Sequence, residues 1–484
     1  MRSDILETKL TKLNNLKKNG LDPYPSQVKK DFSNQKIKED FDKIGEREIY
    51  LAGRVRSLRP MGRSTFCHIE DESGKIQLFL NKNNIKADRY KLFVKNIEIG
   101  DFIQVKGILF KTKTGEITLR VTDWKILSKN IRPIPTEYYG LKDKEQILRH
   151  RYLDLLLNKE TKELFYKKNI FWQTIREFLF QKNFLEVQTP VMEHIPGGAE
   201  AEPFITHHNA LNQDFYLRIS LELALKRLLV GGYEKVFEIG KVFRNEGIDR
   251  EHLQEFDHME FYWAYADLEM GKELVQKLFY AVVSAVTDGK LVTQCGKEEI
   301  NWKKKWKEID YFEIFQKEVG IDLNQDNLKI KDFQDKAQEL KIDYKKEYGQ
   351  GRMIDLLYKK VIRPQLIQPV LLTGHPLIIS PLAKKDPQNP KKVLRFQPIA
   401  CGSELGNAFS ELNDPLEQRK RFEEQMKLRE KGDKEAQMID NDFLEALEYG
   451  MPPAFGFGMS ERFFSILMNK SIRETTIFPA IKRK

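Results

Sequence analysis

The chain has 484 residues, which gives room for two or three domains of about 150 residues each. Hydrophobic residues make up 40% of it, enough for a sizeable core, and the net charge of +10 is compatible with a polyanionic partner without demanding one. Cys67, Cys295 and Cys401 form no CxxC pair, which argues against a zinc site and a disulfide framework. No apolar signal segment and no run of about 18 apolar residues occurs. We therefore expect no secretion, no membrane insertion and a cytoplasmic location.

The first predicted element is an amphipathic helix. Apolar residues recur at helical spacing from Ile5 to Leu16, Asp4 is placed to cap the start, and Gly20 is placed to end it. Lysines lie between the apolar positions. They indicate first a solvated face and only second a contact with a nucleic-acid backbone.

Short alternating segments follow, separated by glycine-containing turns, and they predict five β-strands. Five such strands favour a small closed barrel, with the OB-fold as the candidate architecture. Barrels of this kind bind single-stranded nucleic acid on aromatic side chains. The predicted strands are Ile49–Leu58, Thr65–Glu70, Lys75–Leu80, Phe102–Phe110 and Glu116–Thr122.

Domain boundaries are predicted from the change in sequence pattern after the barrel, where short strands give way to mixed helices and strands. Residues 131–145 contain Pro133 and Pro135 and are typical of a linker. Beyond them, helical and strand patterns are mixed. We therefore predict a first domain over residues 1–130 and a second over 146–484.

The stretch from Phe243 to Tyr265 concentrates arginine, acidic and aromatic residues. A predicted strand precedes it, and Gly247 and Asp249 mark a loop inside it. Burying unpartnered polar groups costs roughly 2–7 kcal/mol each, so the strand after the loop presents either a solvated salt-bridge ladder or a binding site. Four residues share one face of that strand by their alternation: Phe256, His258, Glu260 and Tyr262.

This stretch resembles the second signature motif of the class II aminoacyl-tRNA synthetases, through Arg244-Asn245-Glu246, His252 and the Glu260-Phe261-Tyr262 run. The segment HPLIISPLAK at 375–384 is typical of the lysine-specific members. On these residues the chain is identified as a member of the class II lysyl-tRNA synthetases.

Two further segments are similar to the remaining class II motifs. The predicted helix over Thr161–Phe184, with the strand that ends at Pro190, resembles the first motif, although an ordinary core helix has the same pattern. Gly456 to Arg462, read as a glycine-rich loop before a helix, resembles the third. The implied fold is α+β: an N-terminal OB-fold barrel, then a catalytic domain built on an antiparallel sheet flanked by helices, with a helical insertion around 287–351.

The resemblance implies ATP-dependent ligation of lysine to tRNA(Lys) through a lysyl-adenylate, with Mg²⁺ as cofactor and a homodimer formed through residues 161–190. Arg244 and Arg462 are implied as catalytic residues. The implied ATP-binding set is Arg244, Asn245, Glu246, His252, Phe256, Gln397, Glu404, Met459 and Arg462. The implied lysine-binding set is Gly198, Glu222, Glu260, Tyr262, Asn407 and Glu411. The implied Mg²⁺ ligands are Glu404 and Gln397, and the implied anticodon-binding residues are Arg59, Phe66, Gln77 and Glu116. Without the resemblance, Phe66 would be assigned to the barrel core.

The sequence departs from the family at several of these positions. Gln397 stands where a second metal carboxylate is usual, and an amide oxygen can ligate Mg²⁺ but carries no charge. Leu253 replaces a polar asparagine, and Leu221 replaces a proline. Ser460 and Glu461 replace a glycine and an aspartate in a third motif that is one residue short. The departures concern the number of bound metals and the contacts to ATP.

Two alternatives remain from the sequence. Aspartyl- and asparaginyl-tRNA synthetases share the implied fold but need a cationic or neutral pocket, whereas Glu222, Glu260 and Glu411 predict an anionic one. A catalytically inactive RNA-binding or regulatory paralogue is the other alternative. Gln397, Leu253 and the shortened third motif favour it, whereas the retained Arg244, Glu404 and Arg462 argue against it.

Overall fold

The computed structural model describes residues 2–135, 143–247, 249, 251–433 and 435–482. It separates into two compact units, residues 1–142 and 143–484, each with its own hydrophobic core. The expected linker over 131–145 falls partly on residues 136–142, which lie outside the described residues. Across the described ranges, no helix combines the length and the apolar character needed to cross a bilayer.

The first unit is a closed barrel of five strands with short helices around it. The order around the barrel is β1-β2-β3-β5-β4, in which the β3–β5 pair is parallel and the others antiparallel. The OB-fold prediction is confirmed. Its elements are α1 (Arg2–Lys18), α2 (Asn34–Glu39), α3 (Phe41–Ile44), β1 (Ile49–Met61), β2 (Ser64–Asp71), β3 (Gly74–Asn81), α4 (Ala87–Asn96), β4 (Phe102–Lys111) and β5 (Ile117–Ser128).

Alternation along the strands builds the barrel core. In β1 and β3 every second residue is buried, because successive side chains point into and out of the barrel. Trp124 of β5 closes the interior against Phe93 of α4, with ring centroids 5.2 Å apart. The predicted first helix is present as α1, and it ends before Gly20, whose φ of +73° favours glycine.

The second unit is built around one sheet of nine strands. Its helices are α5 (Lys144–Arg149), α6 (Arg151–Leu157), α7 (Lys159–Gln181), α8 (Glu222–Val230), α9 (Leu268–Val286), α10 (Tyr311–Val319), α11 (Ile330–Glu339), α12 (Gln350–Leu357), α13 (Pro415–Glu430), α14 (Asn441–Glu448) and α15 (Arg462–Leu467). Its strands are β6 (Leu185–Glu186), β7 (Met192–Glu193), β8 (Ile205–His208), β9 (Gln213–Leu217), β10 (Lys235–Phe243), β11 (Glu255–Ala264), β12 (Val292–Cys295), β13 (Glu298–Asn301), β14 (Lys307–Asp310), β15 (Val370–Thr373), β16 (Arg395–Ala400), β17 (Ser403–Glu404), β18 (Asn407–Ser410) and β19 (Ala454–Ser460).

The main sheet runs in the order β14-β15-β16-β18-β19-β11-β10-β6, with β17 paired to β16. All neighbours between β15 and β10 are antiparallel, and only the edge strands β14 and β6 pair in parallel. The prediction of an antiparallel catalytic sheet flanked by helices is therefore confirmed. The parallel edges are a detail that the sequence did not predict.

Helices α7 and α9 cover one face of this sheet. Phe171, Ile175 and Leu179 recur every four residues on α7 and are fully buried. Helix α9 starts at Asp267, whose carboxylate accepts a hydrogen bond from the N–H of Met270 at 2.8 Å. The core that they form with β10, β11 and β19 leaves the opposite face of the sheet free for a site.

Alternation on β11 and β19 separates this core from the site. Met259 and Phe261 of β11 pack into the core, whereas their neighbours face a cavity. On β19, Phe455 and Phe457 pack into the same core. Because side chains alternate along these strands, one side of the sheet is a hydrophobic layer and the other side is the polar face of the cavity.

Two sequence predictions need correction. The segment 287–351, predicted to be helical, begins with the β12–β13 hairpin and the edge strand β14, and its helices start only at Tyr311. The glycine-rich stretch before Arg462 is strand β19, paired on both sides with β11 and β18, rather than a loop. The alternation of glycine with large apolar residues satisfies the period of two of a strand, and glycine content alone misled the prediction.

Candidate active site

A cavity of about 720 Å³ lies on the free face of the main sheet. Strands β11, β16, β18 and β19 contribute lining residues, together with the loop after β10 and helix α12. All four residues predicted to share one face of β11 line it: Phe256, His258, Glu260 and Tyr262.

Glu260 is held rigidly at one end of the cavity. Its Oε1 accepts hydrogen bonds from Ser220 Oγ at 2.6 Å and from the Leu221 N–H at 2.9 Å. Its Oε2 accepts one from the Tyr262 hydroxyl at 2.8 Å. Burial raises the pKa of Glu260, and these three donors oppose the rise because they favour the ionised form.

Glu222 begins helix α8 beside Glu260, and burial raises the pKa of Glu222 to about 7. Lys226, one turn further along the helix, places its ammonium 2.5 Å from Oε1 of Glu222. The same ammonium also forms an ion pair with Glu411, which sits after β18. Lys226 and Glu411 are completely closed to solvent. Burial also raises the pKa of Glu411 well above its usual value, so the three carboxylates beside the single ammonium carry fewer than three negative charges at pH 7.

Two glycines of β19 make room for these acids. A Cβ at Gly456 would come within 2.1 Å of Oε1 of Glu411 and 2.5 Å of the Tyr262 ring. A Cβ at Gly458 would lie 3.0 Å from Nε2 of His258. Glycine is therefore required at Gly456 by packing against the acid cluster, not by an unusual backbone conformation.

His258 lies between the acids and the arginines. Its Nε2 is 3.4 Å from Oε1 of Glu260. Burial, with the charges of Arg244, Arg462 and Arg218 acting in the same direction, lowers the pKa of His258 to about 3. The imidazole is therefore neutral at pH 7 and adds no positive charge to the acid end.

Arg244 and Arg462 line the same cavity beyond His258. The Arg244 guanidinium lies 5.3 Å from the centre of the Phe256 ring, and its Nε donates to the Ile219 carbonyl at 3.3 Å. Burial lowers the pKa of Arg244, yet a guanidinium stays protonated at neutral pH. Nε of Arg462 is buried and finds no hydrogen-bond partner among the described residues.

The loop between β10 and β11 is organised by Asp249. Its carboxylate accepts from the N–H groups of Glu251 and His252 at 2.7 and 2.8 Å, and it contacts Nδ1 of His252 at 2.7 Å. Glu251 in turn accepts a hydrogen bond from Ser403 Oγ at 2.5 Å, which ties the loop to β17. Glu246 and His252 both line the cavity.

Gln397 and Glu404 lie together, as the sequence predicted. Gln397 donates from Nε2 to Oε2 of Glu404 at 3.3 Å, and its Oε1 accepts from Nε2 of His375 at 3.0 Å. The amide oxygen is therefore directed to His375 and away from Glu404. Burial by itself would raise the pKa of Glu404. The surrounding cations outweigh burial and lower this pKa, so the carboxylate is ionised at pH 7.

The remaining expected residues divide into two groups. Gly198, with a φ of +82°, and Asn407, which accepts from Nε of Arg395 at 2.8 Å, line the cavity. Met459 borders it, although its side chain packs in the core. Asn245 is exposed and donates its N–H to the Glu202 carbonyl at 2.7 Å, and the described lining residues do not include it. Glu411 likewise lies behind the lining, where Lys226 contacts it.

The expected anticodon-binding residues gather on one outer face of the barrel. Phe66 of β2 is half-buried and packs against Phe79 of β3, with ring centroids 5.0 Å apart. Gln77 donates to Oε2 of Glu116 at 2.7 Å and accepts from Thr118 Oγ1 at 2.9 Å. Arg59 is exposed and lies directly opposite Phe66 in the β1–β2 pairing. Phe66 therefore does not belong to the buried core of the barrel, which was the alternative interpretation of this residue.

Several residues of the site were missed from the sequence. Lys226 is four residues after Glu222, a spacing that places both on one helix face, so the pair was available from the pattern. Ser220 and Arg395 are not indicated by the sequence, because they contact Glu260 and Asn407 of other elements, and His258 is predicted on the polar face of β11 without a role.

A family model described as tRNA synthetases class II (D, K and N) matches residues 143–482. A second model, described as an OB-fold nucleic acid binding domain, matches residues 49–127. The two models match the antiparallel sheet and the barrel respectively, and they define the chain as a class II tRNA synthetase.

Relatives over the whole length narrow this class. The chain is 42% identical to the lysine--tRNA ligase of Halalkalibacterium halodurans over 491 residues, covering 100% of this chain and 97% of that protein. It is 40% identical to the lysine--tRNA ligases of Bacillus subtilis and Thermotoga maritima, again covering 100% of this chain and 98% and 97% of theirs. The chain belongs to the lysine--tRNA ligase family of class II tRNA synthetases.

Proposed function

We propose that the cavity activates L-lysine with ATP and that the enzyme then transfers the lysyl group to tRNA(Lys). In the first step the lysine carboxylate attacks the α-phosphate of ATP, so that a mixed anhydride, lysyl-adenylate, forms and pyrophosphate leaves. In the second step a ribose hydroxyl of the tRNA attacks the anhydride carbonyl and AMP leaves. The observation that carries the proposal is one cavity with buried acids at one end and unpaired guanidinium nitrogens at the other.

The acid end suits a small molecule with two ammonium groups. Glu222, with Gly198 beside it, receives the α-ammonium, and Glu260 with Tyr262 receives the ε-ammonium. Glu411 supports them through Lys226, and Asn407 lies near the substrate carboxylate. A neutral side chain would leave a buried carboxylate unpaired, and sites of this kind reject such substrates by roughly 10⁴-fold or more.

The arginine end suits the nucleotide. Arg244 holds the α-phosphate with paired donors, Arg462 holds the distal phosphates, and Phe256 stacks on the adenine. Glu246 and His252 complete the nucleotide site. A carboxylate is already a competent nucleophile, so the chain has to supply alignment and charge neutralisation rather than a general base.

Mg²⁺ fits this site through one carboxylate. Groups of three His, Cys, Asp or Glu residues arranged to hold a metal are absent from the described residues. Mg²⁺, however, is commonly bound by one or two carboxylates together with substrate phosphates. Glu404 is ionised and lines the cavity, so it would hold the ion, with Gln397 as a neutral second ligand after its amide turns. The ion would neutralise phosphate charge.

The barrel face around Phe66 is proposed to bind the anticodon of tRNA(Lys). Phe66 would stack on a base while Gln77 and Glu116 contact base edges, with Arg59 near the backbone. A half-buried aromatic ring on the outer face of a barrel, beside fixed polar groups, is an arrangement on which single-stranded nucleic acids stack. We place this activity in the cytoplasm.

A homodimer formed through residues 161–190 is part of the proposal. Helix α7 and the segment after it expose large apolar side chains, and contiguous exposed apolar surface marks an interaction site. The homodimer is tested by light scattering after gel filtration, where Ile170→Asp should shift the mass toward the monomer. The exposed residues are Tyr166, Ile170, Phe180, Leu185, Val191 and Met192.

The direct experiment is ATP–pyrophosphate exchange with each amino acid in turn. Lysine alone should support rapid exchange, and charging of tRNA(Lys) should follow. Aspartate or asparagine dependence would instead support the sister specificities, which the anionic cavity disfavours. Absence of exchange with every amino acid, combined with retained tRNA binding, would support an inactive RNA-binding paralogue.

A further inference from the structure

A wall of basic residues surrounds Glu404 inside the cavity. All of them line the cavity together with Glu404, and Nη1 of Arg363 lies 3.8 Å from Oε1 of Glu404. Arg462 and Arg395 belong to the site already described, whereas two further members have no assigned role. The basic wall consists of Lys359, Arg363, Arg395 and Arg462.

Lys359 and Arg363 come from the irregular end of α12. The chain continues from α12 into a π-helical turn over Tyr358–Ile362 and a 3₁₀ turn over Arg363–Gln365. Single π turns occur frequently at functional sites. Both side chains line the cavity, and 44% of the Lys359 side chain is exposed to solvent.

Neither cation has partners for all of its donors among the described residues. Nζ of Lys359 pairs with Oδ2 of Asp355 at 2.8 Å, which uses one of its three donors. Arg363 reaches Glu404 only at 3.8 Å and Glu251 only at 3.6 Å, distances too long for hydrogen bonds. Its Nε is buried without an acceptor among the described residues.

Two tyrosine hydroxyls in the same cavity lining also lack hydrogen-bond partners among the described residues. Tyr311 and Tyr358 pack with ring centroids 5.2 Å apart, line the cavity and are almost fully buried. Within the described part of the chain, neither hydroxyl has a hydrogen-bond partner. A buried donor left unpaired costs about 1–3 kcal/mol. The collected deficit of acceptors indicates a ligand that is rich in oxygen and negatively charged.

We propose that Lys359 and Arg363 form a polyphosphate subsite that binds the pyrophosphate end of ATP directly. Fixed side-chain cations then take over part of the charge neutralisation at a site where Gln397 supplies no charge to hold additional Mg²⁺. The inference rests on the proposed ATP-dependent function. It assigns to two residues a ligand contact that the sequence did not indicate.

The test is calorimetric binding of inorganic pyrophosphate and of ATP, in EDTA and in Mg²⁺. The wild-type protein should bind pyrophosphate in EDTA, and the double variant Lys359→Gln/Arg363→Gln should bind it at least tenfold more weakly. Lys360→Gln is the matched control, because Lys360 is the adjacent exposed lysine and lies outside the cavity lining. Its affinity should equal that of the wild type.

Variants that keep the positive charge control for misfolding of the glutamine variants. Lys359→Arg and Arg363→Lys should retain most of the affinity in EDTA, and these variants decide the matter if the glutamine variants unfold. An affinity for pyrophosphate that is the same in wild type and double variant, or undetectable in wild type without Mg²⁺, would overturn the subsite. Lysine-dependent exchange by the wild type separates the two proposals: exchange with unaltered pyrophosphate binding refutes the subsite alone, and no exchange refutes the function.

Discussion

The ammonium of Lys226 lies 2.5 Å from the carboxylate of Glu222, one helical turn away, and is completely closed to solvent. Glu411 contacts the same ammonium from the other side. Lys226 therefore holds two acids of the substrate end in place and cancels one of their charges. The proposed lysine site is therefore a cluster that contains its own cation as well as acids.

Replacing Lys226 by methionine should strongly destabilise the protein. Breaking a buried ion pair by removing one partner costs about 3–5 kcal/mol, because the remaining carboxylates stay buried without compensation. Urea unfolding of Lys226→Met measures this loss. Lys277→Met is the control, since Lys277 and Glu273 form the same four-residue pair at 2.5 Å with side chains 59% and 69% exposed. Equal losses of stability in both variants would show that burial is not the cause.

Lysine binding should weaken as the pH falls through 7. Burial raises the pKa of Glu222 to about 7, so this acid is largely ionised at pH 8 and largely protonated at pH 6. An ammonium group binds the ionised form, so a proton must leave on binding, and affinity should fall about tenfold per pH unit below 7. Calorimetry between pH 6 and 8 measures the slope. Glu222→Gln should bind lysine weakly at every pH, and a slope retained in that variant would assign the proton to another group.

Arg244→Ala should abolish lysine-dependent ATP–pyrophosphate exchange while tRNA binding stays largely intact. The guanidinium is the group proposed to hold the α-phosphate, and it lies beside Phe256 at 5.3 Å. Loss of such an electrostatic contact costs roughly 10²–10³-fold or more in rate. The rate of exchange and a tRNA filter-binding assay are measured on the same preparation. Unchanged exchange would break the role assigned to Arg244.

Phe66→Ala should weaken binding of tRNA(Lys) by roughly 5- to 150-fold, because one base–aromatic stack contributes about 1–3 kcal/mol. ATP–pyrophosphate exchange should be unaffected, since no tRNA takes part in that step. Phe102→Ala is the matched control: Phe102 also points outward from the barrel and is covered by Arg54 at 4.3 Å. The anticodon site would have to be sought elsewhere if both variants bound tRNA equally well.

Gln397→Glu should increase the affinity for divalent metal in the presence of a non-hydrolysable ATP analogue. The change puts a second carboxylate beside Glu404, where Gln397 now donates a hydrogen bond at 3.3 Å. Affinity for hard cations rises with the number of charged oxygen ligands. Titration with Mn²⁺ followed by electron paramagnetic resonance measures it. Gln350→Glu adds the same charge elsewhere in the cavity lining, and an equal gain there would exclude ligation as the explanation.

Much of the architecture was predictable from local pattern. The five barrel strands and the cavity face of β11 follow from alternation with a period of two, and α7 follows from a period near four. The sequence predicts a loop for the glycine-rich third motif, because glycine favours turns when only local pattern is considered. In the folded protein, Gly456 is a strand residue whose missing side chain leaves room for Glu411 and Tyr262.

By itself, the sequence determined the family and the fold in outline, and it predicted a set of site residues, because periodicity and motif spacing are local properties of a chain. Only the tertiary structure decided that Lys226 sits between Glu222 and Glu411, that Gln397 turns its oxygen to His375, and that Lys359 lines the same cavity as Glu404. These relationships join segments far apart in the chain. Their charges and hydrogen bonds exist only where folding brings the groups together in a buried environment in which each charge requires a partner.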